Sequence, residues 1–208
     1  RSPLGTKKRK GQFYVNTWHG NLGFKRIGLW RGKAFSKIAY LVSKNDSDMI
    51  DVYLSSSDWT TRAHVRGMLY NGKIIKTGQA REDILHTEER GIISDKIKNE
   101  YNVPKDTNVL LYVPTYRETG QKTNRGVYKE ESTIDLTGIK QALEARTGCK
   151  WVIFVKYHPQ LSPITIKLNI DKSIVNVTDH EDVYELLAAS DAMITDYSSL
   201  AFEAASAQ

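Results

Sequence analysis

Apolar residues in the second half of the chain fall into short blocks, separated by stretches with apolar positions three or four apart. Val109–Val113 (VLLYV) is apolar throughout and stops at Pro114, the pattern of a strand buried on both faces of a parallel sheet. Ile134, Leu136, Ile139 and Leu143 then recur at helical spacing, with Gly148 as a C-terminal stop. Trp151–Val155 (WVIFV) predicts a second buried strand, broken by Pro159, and Ile174–Val177 a short third one. Thr178 and Glu181 read as a capping box ahead of a helix whose inner face carries Val183, Leu186 and Leu187. Ala192–Thr195 predicts a fourth strand, and a further helix begins after Asp196–Ser199. Strands alternating with helices predict a doubly wound α/β lobe with a parallel sheet.

The first half is less regular. Phe13–Thr17, Val52–Leu54 and Ile74–Lys76 read as strands, and Ser94–Tyr101 as a helix with Ile97 and Tyr101 on one side. The polar, proline-bearing segment 103–108 reads as a linker, which places a break between lobes at 104/105. The pattern opens on a polar segment and its last helix runs only about two turns, so a piece of a longer protein is expected.

At 40% hydrophobic and 26% charged residues, composition excludes a disordered or fibrous chain. No stretch approaches the roughly 18 apolar residues of a membrane span. Cys149 is the single cysteine, which excludes a disulfide within the chain and points to a reducing compartment. Charge is unevenly placed. Up to Lys44 there are eleven Lys and Arg and no acid, leaving 19 of the 30 basic residues against all 24 acidic ones. Such a patch attracts phosphates, whether of nucleic acid, lipid headgroups or a polyanionic substrate; a plain solvated surface is the bland alternative.

Ligands of α/β folds bind outside the carboxyl ends of the strands, and four predicted strand ends carry polar clusters. Thr17-Trp18-His19-Gly20 offers an imidazole that could take a proton from an attacking hydroxyl; read alone, it is a surface histidine. Pro114-Thr115-Tyr116-Arg117 offers a guanidinium suited to phosphate oxygens, or else an arginine paired with Glu118. Lys156-Tyr157-His158-Pro159 holds a histidine at a rigid turn. Asp196-Tyr197-Ser198-Ser199 stands where a helix begins, and reads either as an anion site or as an ordinary cap. Gly78–Asp83 (GQARED) reads as a solvated turn. No P-loop, HExxH or CxxC pattern occurs, and His64, His86 and His180 show no partner pattern.

Together TWHG, GQARED, VLLYVPTYRE, VKYHP and ELLAASDAMITDYSSLAFE resemble the CDP-glycerol glycerophosphotransferase family of teichoic acid polymerases and primases, in that family's order. The resemblance implies a GT-B fold of two Rossmann-like lobes around a cleft, both incomplete here. Residues 1–104 would be the C-terminal part of the acceptor lobe and 105–208 the N-terminal part of the nucleotide-donor lobe. It implies transfer of glycerol phosphate or a related polyol phosphate from a CDP-linked donor to a hydroxyl of a teichoic-acid-type acceptor, releasing CMP. His19 matches the general base. His158, also taken as catalytic, lines the donor's phosphates with Arg117, Ser198 and Ser199, while Asp196 orders the same turn. Gly20, Lys25 and Arg26 are assigned to the acceptor side. No metal and no cofactor is expected, the CDP-polyol being a substrate. The implied partners are that donor, an anionic polymer or lipid-linked acceptor, and the inner face of the cell membrane through the basic N-terminal segment. No nucleic acid is expected, and the implied location is cytoplasmic. Asn21-Leu22-Gly23 stand where the family usually has Thr-Pro, and Ala80 where it has proline. A nucleotide-sugar glycosyltransferase of the same fold, and a non-catalytic anion-binding module, are the competing readings.

Overall fold

Two separate parallel sheets form, one in each of two units that divide between Asp83 and Ile84. The structure, a computed structural model, describes residues 7–18, 26–115, 134–157 and 172–207. The observed division lies upstream of 104/105. The helix ahead of that point buries Ile97 in the second unit's core, against Val103 and Leu187, so packing carries it across.

In the first unit β1 (Val15–Asn16), β2 (Val52–Ser55) and β3 (Lys73–Lys76) pair in that order. A 3-10 segment, Gly28–Ala34, and α1 (Lys37–Met49) lead from β1 to β2. The three-residue α2 (Asp58–Thr60), continued by a π turn over Thr61–Val65, leads toward β3. The core is small, with Tyr53, Val65 and Tyr70 backed by Trp18, Ile50 and Ile74. Gly28 has φ +49°, and a Cβ there would overlap the Gly67 carbonyl oxygen, so the 3-10 segment can lie on residue 67 only as glycine. Helix α1 escapes the sequence pattern because its polarity is inverted. Ser43 and Ser47 are buried, with Ser47 Oγ donating to Met68 O at 2.6 Å, while Ile38 and Leu41 are exposed.

The second unit holds α3 (Glu89–Glu100), β4 (Asn108–Val113), α4 (Leu136–Thr147) and β5 (Trp151–Val155). Then follow β6 (Ile174–Asn176), α5 (Val183–Ala188), β7 (Ala192–Thr195) and α6 (Leu200–Ser206). Strand order is β6-β5-β4-β7, all parallel, with Leu111 opposite both Phe154 and Met193. Alternation along β4 separates two cores. Val109 and Leu111 pack with Phe154, Ile97, Leu186 and Leu200 on one face; Leu110 and Tyr112 pack with Ile153, Val155 and Leu136 on the other. That is why VLLYV carries no polar position. Gly148 closes α4 at φ 69°, its N–H reaching Glu144 O at 2.9 Å.

Thr178 and Glu181 do not form the expected capping box. Asp182 caps α5, accepting from the Tyr184 N–H at 2.8 Å. Thr178 Oγ1 instead accepts from the Tyr157 N–H at 3.1 Å. The helix starts at Val183, too far along for Thr178 to reach its first amides.

Candidate functional site

In the second unit the chain runs from β4 outward through β5 and β6, then returns to place β7 on the other side of β4. The gap beyond the carboxyl ends of β4 and β7 is therefore the topological switch point, where open α/β sheets bind ligands. Two side chains tie those ends together. Thr195 Oγ1 donates to Val113 O at 2.6 Å, and Asp196 Oδ1 accepts from the Thr115 N–H at 2.6 Å. Asp196 thus spends a carboxylate oxygen on backbone. Ser198 and Ser199 follow, both half-buried; Ser198 Oγ accepts from the Leu200 N–H at 3.3 Å, and Ser199 makes no side-chain capping bond. Tyr197 projects outward at 68% exposure.

In the first unit β1 ends in a constrained turn. Asn16 Oδ1 accepts from the Trp18 N–H at 2.8 Å, and Thr17 Oγ1 donates to Trp18 O at 3.1 Å. Trp18 has φ 57°, a left-handed backbone that costs a non-glycine residue about 1–2 kcal/mol. The Asn16 bond and packing of Trp18 on the Tyr53 cluster hold it there. Such strain gathers at functional turns, and the next residue is His19. Neighbouring β2 ends in a hydroxyl cluster that sequence reasoning passed over. Ser55 Oγ lies 2.9 Å from Thr61 Oγ1, and Ser56 Oγ lies 3.0 Å from Thr60 Oγ1. The run SSSDWTT was its only trace.

Of the residues singled out from sequence, Asp196, Ser198 and Ser199 come together at the switch point, and Arg26 is exposed in the first unit. His19, Gly20, Lys25, Arg117 and His158 lie outside the described residues. His180, which showed no partner in sequence, lies among Tyr101, Glu185 and Glu100, the last with Oε1 3.5 Å from its Nδ1. Its Nδ1 lies 3.2 Å from the Tyr101 hydroxyl and its Nε2 3.1 Å from Glu185 Oε2. The Lys96 ammonium hydrogen-bonds Glu185 and, with His180 contributing less, holds its carboxyl below the usual range. Among the described residues no three metal-ligating side chains gather.

The chain matches the family model described as CDP-Glycerol:Poly(glycerophosphate) glycerophosphotransferase over residues 1–207. It belongs to that family. Relatives include the teichoic acid poly(glycerol phosphate) polymerase of Bacillus subtilis (strain 168), 29% identical over 98% of this chain and 27% of that protein. The teichoic acid glycerol-phosphate transferase of Staphylococcus aureus (strain NCTC 8325 / PS 47) is 29% identical over 98% of this chain and 52% of that protein. The solved structure of the wall teichoic acid polymerase TagF superposes with a TM-score of 0.77 at 27% identity, over 98% of this chain and 50% of that one. This glycerophosphotransferase family member therefore spans between about a quarter and a half of those relatives. Its fold is α/β of the GT-B type, with parallel sheets.

For this family member, Asp196→Ala is expected to cost about 1–3 kcal/mol, because the Thr115 N–H loses its acceptor. Asp196→Asn keeps an oxygen in place and should cost less. Urea unfolding of the two variants side by side checks the order.

Proposed function

We propose that this chain belongs to an enzyme that transfers glycerol phosphate, or a related polyol phosphate, from a CDP-linked donor to a hydroxyl of a teichoic-acid-type acceptor. The acceptor oxygen attacks the phosphorus of the polyol phosphate, the bond to CMP breaks, and CMP leaves. His19 takes the hydroxyl proton. Arg117, His158, Ser198 and Ser199 stabilise the charge on the donor's phosphates, a task these cationic and hydroxyl groups perform without a metal ion. Asp196 holds the ends of β4 and β7 together, next to Ser198 and Ser199 in the chain. The joined switch point supports this reading above all, inside a chain matched to the family over residues 1–207.

The full protein is tested with CDP-glycerol, and separately with UDP-sugars, in the presence of acceptor. CMP release with the first and no UDP release with the second is expected. UDP release alone would instead favour a glycosyltransferase.

We also place the protein at the inner face of the cell membrane. No helix among the described residues is long and apolar enough to cross a membrane. Helix α1 and the 3-10 segment before it expose Leu29, Trp30, Ile38 and Leu41 beside Arg31, Lys33 and Lys37. Apolar side chains flanked by cations suit an anionic bilayer surface. Sedimentation with phosphatidylglycerol vesicles should show binding that weakens with salt and falls about tenfold when Ile38 and Leu41 are both serine. Equal binding to phosphatidylcholine vesicles would contradict the electrostatic part.

A further inference from the structure

Lys156 is the first residue past β5, and its side chain turns sideways along the sheet edge instead of reaching for water. Its Nζ donates to the carbonyl oxygen of Thr178 at 3.2 Å and to that of His180. Both carbonyls belong to the turn after β6, the strand paired with β5. The Tyr157 N–H adds its bond to Thr178 Oγ1 at 3.1 Å, and the Thr178 N–H is held by Asn176 Oδ1 at 2.9 Å. The His180 ring, between Tyr101 and Glu185, ties the same turn to α3 and α5. So the turn is fixed on one side by helices and on the other by Lys156.

The half-buried ammonium has no direct carboxylate partner among the described residues. Burial pushes its pKa below the usual lysine value, against the opposing pull of Asp179 and Asp182. A lysine at a strand end normally extends its flexible stem into solvent. Here two of its three N–H donors serve backbone carbonyls, which ties strand end to turn and leaves it badly placed to serve as a phosphate ligand itself.

We propose that Lys156 is a positioning residue that staples the carboxyl ends of β5 and β6 and so fixes the backbone leading into His158, two residues on. Its catalytic consequence rests on the transfer reaction proposed above; the staple itself does not. A phosphate-binding group must be held to within about 0.5 Å, so loosening its backbone weakens donor binding before it changes the chemistry.

The test compares Lys156→Met, which keeps the stem and removes the donors, with Lys156→Arg, which keeps donors. In Lys156→Met the Tyr157 amide should exchange about tenfold faster while those of Leu111 and Phe154 hold steady. The KM for CDP-glycerol should rise about tenfold with kcat changed less than about threefold. Lys156→Arg should recover most of both. Unchanged exchange at Tyr157 overturns the staple, and faster exchange with an unchanged KM overturns the positioning role. Should the unaltered protein release no CMP, the transfer reading fails separately. The ring resonances of His158 in histidine-labelled protein then decide: they move in Lys156→Met and return in Lys156→Arg, or the proposal is wrong.

Discussion

His19→Ala is expected to lower CMP release from CDP-glycerol by roughly 10²–10⁴-fold, the usual worth of a positioned general base. An acceptor hydroxyl is a weak nucleophile until its proton is taken. Imidazole suits the task because it can accept a proton near neutral pH. In His19→Ala most of the rate should vanish while the melting temperature stays near that of the unaltered protein. A variant retaining its rate would remove His19 from the mechanism. Asn16→Ala, which removes the acceptor for the Trp18 N–H in the turn just before His19, should on the proposed reading also slow transfer, though by less.

The largest stability loss is expected from Phe154→Ala, about 3–5 kcal/mol. Phe154 is fully buried, packs in the core with Leu111, Val177 and Leu186, and sets its ring 5.2 Å from that of Tyr101. Truncation removes apolar burial and leaves a cavity that strands paired on both sides of β5 cannot close. Against a domain stability of about 5–15 kcal/mol, the second unit should then unfold at markedly lower urea concentration. Phe154→Leu keeps most of the volume and should lose much less. Equal losses for both variants would mean the site relaxes freely.

The second unit was legible because its two central strands, β4 and β5, are buried on both faces, so burial alone forced VLLYV and WVIFV to be apolar throughout. Their ends, and those of Ala192–Thr195, could be read from Pro114 and the polar turns that follow. The first unit was less so. Phe13–Thr17 shrinks to Val15–Asn16, and α1 was missed because its buried face carries Ser43 and Ser47. Periodicity finds helices that hide apolar residues, and this one displays them.

Sequence alone determined the alternation of strands and helices, the cationic first fifth, and the polar residues clustered at strand ends, since each is a local property of neighbouring side chains. Tertiary structure decided which ends adjoin. Strand order put β7 beside β4 and so brought Asp196 to Thr115 across 81 positions; it set Lys156 against the turn after β6, and gave His180 its carboxylate and hydroxyl neighbours. Such contacts depend on how distant segments pair, and no short-range pattern encodes that.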